Sequence, residues 1–176
     1  MKAISSGMQW LRRGRHQQRE SRSTNIQIYY NQHISVDEIL EVFIPIFGQF
    51  YPVQEIIDMI KKSDHVFCAY DKNTGRCVAC ALVNDVKRKD DLYIMLFGVR
   101  RSEQGRGTGT LLLKRVIRWA FQMGYQNIRL HVNVSNEPAI GLYTKVGFVV
   151  EKRVPFFYMS LPKKSPHGYS MVLSFF

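Results

Sequence analysis

Three glycines, Gly105, Gly107 and Gly109, fall between an apolar run, Leu92–Val99, and an amphipathic one, Thr110–Met123. Small residues there let backbone N–H groups come close to a ligand, and a helix start adds unpaired donors and the positive end of a dipole. That is anion-binding chemistry suited to a pyrophosphate. No Gly-Lys-Ser/Thr follows, so it is not a P-loop, and Thr110 leaves the Gly105-x-Gly107-x-x-Gly pattern incomplete. A second chemistry sits at His131. Residues 128–134 alternate, with Ile128, Leu130, Val132 and Val134 on one face and Arg129, His131 and Asn133 on the other. An imidazole on the polar side of a strand can take a proton near neutrality, directly or through water. Tyr93 on an earlier strand and Tyr143 on a following helix add two phenols. By pattern alone His131 is a solvated strand residue and the tyrosines are packing residues. Cys77-x-x-Cys80 could suggest metal or redox work, but in a strand an i, i+3 pair points to opposite faces, so a structural role and no metal are expected.

These residues need elements to hold them. Ile26–Tyr30 reads as a short strand. Ser35-Val36-Asp37-Glu38 makes a capping box that opens a helix with Ile39, Leu40 and Phe43 inward, ended by Pro45. A second helix starts after Pro52 and carries Val53, Ile56, Ile57 and Ile60. His65–Tyr70 and Cys77–Val83 form a hairpin over Asp71–Gly75, and Asn84–Asp91 is a polar loop. Leu92–Val99 is a strand. Thr110–Met123 is a helix with Leu112, Leu113, Val116, Ile117 and Ala120 inward, stopped by Gly124. After the strand of His131, Ser135 or Asn136 caps a short helix with Pro138 in its first turn, which the chain leaves at Val146-Gly147-Phe148. Strands near Phe148–Arg153 and Tyr169–Phe175 close the chain.

The spacing of Val99, Gln104, Gly107 and Gly109 matches V-x-x-x-x-[QR]-x-x-G-x-[GA], the pyrophosphate-binding segment of the GNAT acetyltransferases. Ser135–Phe148 resembles the second signature of the same superfamily, N-x-x-A-x-x-[FY]-Y-x-x-x-G-F. The element order agrees, and the resemblance covers residues 26–176. It implies an α/β (α+β) fold: a mixed, mostly antiparallel seven-stranded sheet with splayed central strands and about four helices. One domain, 25–176, would follow a basic leader, 1–24. Within the superfamily the chain resembles the protein N-terminal acetyltransferases of the NatF type, and next the NatE type. Ile44-Pro45-Ile46 sits where those enzymes place a loop over the substrate amine. Leu92–Met95 and Leu130–Val132 are similar to their strands bearing a catalytic tyrosine and histidine. Val154–Tyr158 is similar to the Pro-Tyr-Tyr-Tyr hairpin of NatF. Gln104 stands where these enzymes usually carry Arg, and Glu103 replaces an aromatic or apolar residue.

The resemblance implies roles residue by residue. The co-substrate is acetyl-CoA, with no metal. Phe97, Gly98 and Val99 would run beside the pantetheine arm, where a backbone N–H polarises the acetyl carbonyl. Gln104, Gly105, Arg106, Gly107, Thr108, Gly109 and Thr110 would hold the pyrophosphate, and Asn136 the pantetheine. Tyr93 and His131 would act as the base through water, and Tyr143 would protonate the departing thiolate. An α-amine of pKa about 7.7–8.0 asks for only a modest base. Ile44, Pro45, Ile46, Tyr51, Met95, Phe157 and Tyr158 would contact the substrate. An apolar pocket of Ile44, Pro45, Ile46, Met95 and Phe157 suits a retained N-terminal methionine, with a non-acidic second residue. The expected activity is therefore N-alpha-acetylation of protein N-termini. Two alternatives stand beside it: acetylation of a lysine side chain or small amine, and a basic nucleic-acid or ribosome-binding module on a degenerate GNAT fold.

Composition bounds these readings. The 176 residues suit one globular domain, and 45% hydrophobic content argues against general disorder. No apolar run approaches the roughly 18 residues that cross a bilayer. Three cysteines are too few and odd in number for a disulfide framework and point to a reducing compartment. The net charge is +11, of which residues 1–23 hold +5. The rest is spread over Lys87-Arg88-Lys89, Arg100-Arg101, Arg115, Arg118 and Lys163-Lys164, a pattern more typical of a solvated surface than of a nucleic-acid face. The leader is Arg- and Ser-rich and nearly free of acids. It reads as a flexible basic arm that could meet a ribosome or another anionic surface. A monomer in the cytoplasm is expected, with organelle targeting by the leader or peripheral membrane association as the other locations.

Overall fold

Seven strands and four helices make up the computed structural model, which describes residues 25–32, 34–86, 90–159 and 165–176. The basic leader, Lys87-Arg88-Lys89 and Lys163-Lys164 lie outside the described residues. The order is β1 (Ile26–Tyr30), α1 (Val36–Phe47), α2 (Val53–Lys62), β2 (His65–Asp71), β3 (Cys77–Val86) and β4 (Asp91–Val99), then α3 (Thr108–Gln122), β5 (Asn127–Asn133), α4 (Glu137–Val146), β6 (Val149–Val154) and β7 (Gly168–Ser174). One sheet takes them in the order β1-β2-β3-β4-β5-β7-β6. The pairs β1–β2, β2–β3, β5–β7 and β6–β7 are antiparallel. Among the described residues no helix is long and apolar enough to cross a membrane.

Cα proximity divides the chain into two compact units. The first runs to Asn84 and adds Ile94–Val116; the second holds Asp85–Tyr93 and Ile117–Phe176. In the first, Ile39, Val42 and Phe43 of α1 and Ile56 and Ile60 of α2 join Cys68, Tyr70, Cys77, Cys80, Leu82 and Leu96 in one buried cluster. The capping box is made: Ser35 Oγ accepts from the Glu38 N–H at 3.2 Å, and the Ser35 N–H donates to Glu38 Oε2 at 3.3 Å. Pro45 does not end α1, which continues to Phe47. Proline removes one N–H and crowds the carbonyl four residues back. That carbonyl belongs to Glu41, an exposed residue, while Ile46 and Phe47 pack against the buried cluster and repay the lost bond.

Two other boundaries and one side-chain orientation differ from the sequence reading. Asn84–Asp91 is not all loop, since β3 extends to Val86 and β4 begins at Asp91, whose carboxylate is buried. Helix α3 starts at Thr108, two residues early. The two cysteines of Cys77-x-x-Cys80 do not point apart. Cys68 faces Cys80 and Ala69 faces Ala79, but the next pair is Tyr70 with Cys77, so Val78 is an extra residue in β3. Such a bulge shifts the alternation by one and brings i and i+3 to the same side. The Cys77 and Cys80 sulfurs lie 3.3 Å apart.

In the second unit, Ile128, Leu130 and Val132 of β5, Met171 and Leu173 of β7 and Phe148 are buried. Their alternation turns Arg129 and His131 to the opposite face. Val134 lies just past the end of β5. Asn136 caps α4 by accepting from the Ala139 N–H, and Gly147 closes it at φ +116°, a left-handed position that suits glycine.

Candidate active site

β4 and β5 bring Tyr93 and His131 together in the second unit. Tyr93 Oη lies 3.0 Å from His131 Nδ1. The other wall of the imidazole is Phe157, whose ring stacks on it at 4.0 Å and 10°. Partial burial pushes the His131 pKa below its ordinary value, and the Lys152 charge pushes it further the same way, against a smaller upward pull from Glu151. The origin of that charge is strand register. His131 pairs with Ser170 across β5–β7, and Lys152 pairs with Ser170 across β6–β7. The three residues therefore form a row across the sheet. A neutral imidazole results at neutral pH, the form a general base needs.

Beside that row runs a charged chain. Asp91, 4% exposed, accepts from Asn127 Nδ2 at 2.7 Å and Arg129 Nε at 3.0 Å. Arg129 Nη1 donates to Glu151 Oε1 at 2.6 Å, and Ser170 Oγ donates to Glu151 Oε2 at 3.2 Å. The Arg129 bond holds the Glu151 pKa below the usual range, and bonds to Glu151 and then Asp91 raise that of Arg129. A register shift between Val150 and Lys152 makes Glu151 the extra residue of β6, which places it beside Lys152 on Ser170. None of these five residues is visible in the sequence as a site residue, because nothing there states that β7 lies between β5 and β6.

Tyr143, on α4, is buried and packs against Phe148 at 5.8 Å between ring centres. Burial, then the nearby Tyr93, raises its pKa, so the phenol keeps its proton. Phe157 and Tyr158 sit in the turn after β6. Phe156 adopts φ +56°, unusual for a bulky residue, and its N–H donates to His167 Nδ1 at 3.2 Å. The Tyr158 N–H donates to the Pro166 carbonyl at 2.8 Å. Gly168 makes room for this turn: a Cβ there would come within 3.1 Å of Tyr158 Cε2 and 3.3 Å of Phe157 Cβ.

The first unit holds the glycine-rich turn. Gly105 and Gly107 have φ +74° and +90°, and a Cβ on either would meet nothing within 4 Å. The Leu111 N–H bonds to the Gly107 carbonyl, so α3 springs directly from the turn and its first N–H groups have no intrahelical partner. That is an open face of backbone donors at a dipole's positive end, which fits a pyrophosphate. Thr108 is buried there, and Arg106 is tied to Glu103 at 3.1 Å. Gln104 Nε2 donates to the Val99 carbonyl at 3.0 Å and so ties the turn to the end of β4, just after Phe97 and Gly98. Gly98 admits α1 to that strand, since a Cβ would lie 2.9 Å from Ile46 Cδ1 and 3.1 Å from the Phe43 ring. Ile46, Tyr51 and Met95 pack against the core cluster of this unit. Burial, then Glu55, raises the Tyr51 pKa. Ile44 and Pro45 line a different feature, a shallow groove of about 450 Å³ shared with Asp37, Leu40, Glu41, Arg76 and Arg100. Of its two acids, Glu41 accepts from Arg100 Nη2 at 2.7 Å.

Residues 35–148 match the acetyltransferase (GNAT) family. The chain is 29% identical to N-alpha-acetyltransferase 50 of Danio rerio over 62% of its own length and 66% of that protein's. It is 30% identical to N-alpha-acetyltransferase MAK3 of Arabidopsis thaliana over 53% of its length and 50% of that protein's. It thus spans between half and two thirds of these relatives. A Bacillus subtilis acetyltransferase in complex with CoA superposes with a TM-score of 0.71 at 18% identity, over 86% of this chain and 99% of that one. The architecture is the same.

Proposed function

Because the chain belongs to the acetyltransferase (GNAT) family, we propose that it transfers the acetyl group of acetyl-CoA to the free N-terminal amine of proteins. The preferred substrate retains its methionine and has a non-acidic second residue, as in the NatF and NatE types. The observation that carries the reading is the 3.0 Å contact of Tyr93 with His131 on an imidazole kept neutral. The names of the two N-alpha-acetyltransferases agree with it.

The chemistry follows from the side chains. In the tautomer with its proton on Nδ1, His131 donates to Tyr93 Oη and keeps the Nε2 lone pair for the amine proton, taken directly or through water. Phe157 holds the ring in that orientation. The neutral amine attacks the thioester carbonyl, whose developing charge is met by a backbone N–H near Phe97, Gly98 and Val99. The carbon–sulfur bond breaks, and Tyr143 gives its proton to the thiolate. The raised Tyr143 pKa suits an acid that must stay protonated until that moment. Residues 104–110 hold the pyrophosphate, and Asn136 the pantetheine arm. Ile44, Pro45, Ile46, Tyr51, Met95, Phe157 and Tyr158 receive the substrate.

A peptide panel with acetyl-CoA, varying the first two residues and including blocked peptides with an internal lysine, tests this. Met-starting peptides with an aliphatic or Lys second residue are expected to react fastest. Faster turnover of Ser- or Ala-starting peptides would overturn the methionine preference. Acetylation confined to the internal lysine would move the chain to the lysine class. No transfer and no acetyl-CoA binding would leave a basic binding module on this fold.

A further inference from the structure

We propose that Cys68, Cys77 and Cys80 form a three-thiolate site for one soft monovalent metal ion, copper(I). The bulge at Val78 is what creates it. Without the extra residue, Cys77 and Cys80 would face opposite sides of β3. With it, Cys77 Sγ lies 3.3 Å and Cys68 Sγ 2.7 Å from Cys80 Sγ, and all three sulfurs fall within 4.8 Å. All three residues are buried.

The donor set selects the ion. Thiolates favour soft cations, copper(I) and zinc(II) foremost. Zinc takes four ligands, or three and a water. Among the described residues no His, Asp or Glu joins the three sulfurs. The carboxylate of Glu38 already accepts from the Tyr70 hydroxyl and the Ser35 N–H. The surroundings are Ile39, Val42, Phe43 and Leu82, which leave little welcome for water. A cation content with three sulfurs fits, and zinc does not. Metal–sulfur bonds of about 2.3 Å place three sulfurs about 4 Å apart in a plane. The sulfurs of Cys68 and Cys80, now 2.7 Å apart, therefore separate by about 1.3 Å on binding.

Access agrees. Arg100 Nε donates to the Cys77 carbonyl at 2.7 Å, and Arg100 lines the open groove with Arg76. Cys77 is thus the member of the triad next to the outside. In binding, copper(I) leaves its chelator, three copper–sulfur bonds form, and the protons held by the three thiols leave to solvent. The copper stays monovalent, so no oxidant or reductant is consumed.

The test uses the full chain, reduced and metal-free under anaerobic conditions, titrated with copper(I) against a chromogenic bicinchoninate competitor. One copper(I) per chain is expected, with three sulfur neighbours by X-ray absorption. Cys77→Ala and Cys80→Ala, each verified as folded by circular dichroism, should each weaken binding by more than about a hundredfold, beyond the loss of an outer partner. Failure to take copper from the competitor would overturn the proposal. So would two sulfur neighbours with undiminished binding in Cys77→Ala, zinc(II) held where copper(I) is not, or a Cys68–Cys80 disulfide that survives reduction.

Discussion

In the proposed mechanism His131 carries most of the chemistry, so its replacement is the sharpest test. His131→Ala is expected to lower kcat by roughly 10²–10⁴ while leaving the acetyl-CoA dissociation constant unchanged, because a base acts on the amine. Steady-state kinetics and calorimetry separate the two, and wild-type turnover would place the base elsewhere. Tyr93→Phe should lose less than Tyr93→Ala if the hydroxyl only orders water. The Lys152 charge disfavours the imidazolium, so its removal raises the His131 pKa. The acid limb of kcat in Lys152→Gln should therefore move to higher pH, and an unmoved limb would show that another group titrates. Strand alternation alone turns His131 to the polar side, which makes it legible as a candidate. Lys152 is not legible in that role, since only the β5-β7-β6 order puts it in the same row.

At the scale of elements, glycines and caps decide how closely pieces approach. Gly168→Ala forces the Phe157–Tyr158 turn to shift by a few tenths of an ångström, because Phe157 Cβ stands 3.3 Å from the new methyl. The stack on His131 then loosens. A lower kcat with unchanged acetyl-CoA binding is expected, and equal turnover would show that the stack is passive. Arg129→Leu leaves the buried Asp91 carboxylate without its cation, a loss of up to about 3 kcal/mol in a urea unfolding curve, the low end for a buried pair. Ser35→Ala should cost about 0.5–2 kcal/mol by removing the cap of α1. Capping boxes and turn glycines depend on neighbours in sequence, so the start of α1 and the glycine turn can be read there. The course of α1 through Pro45 and the bulge at Val78 depend on packing and pairing partners far along the chain, so local signals mislead.

For the molecule as a whole, a ligand that binds only the folded chain raises its stability. Acetyl-CoA at a hundred times its dissociation constant should add about 2.7 kcal/mol, seen as a thermal shift without peptide. Gly107→Val should abolish the shift. The ligand-induced difference is the quantity to compare, because a β-branched residue at φ +90° lowers stability by itself. The division into two units has no sequence signal: no linker marks it, and both β4 and α3 contribute to each unit. The position of β6 at the end of the sheet has a colloidal consequence. An outermost strand offers its unpaired N–H and C=O groups to any other extended chain and so templates aggregation. Val149 and Val150, 61% and 49% exposed, would be adhesive there, and Glu151, Lys152 and Arg153 follow them directly. Those charges act as gatekeepers, and the double variant Lys152→Val/Arg153→Val should scatter light at concentrations where the parent chain stays clear.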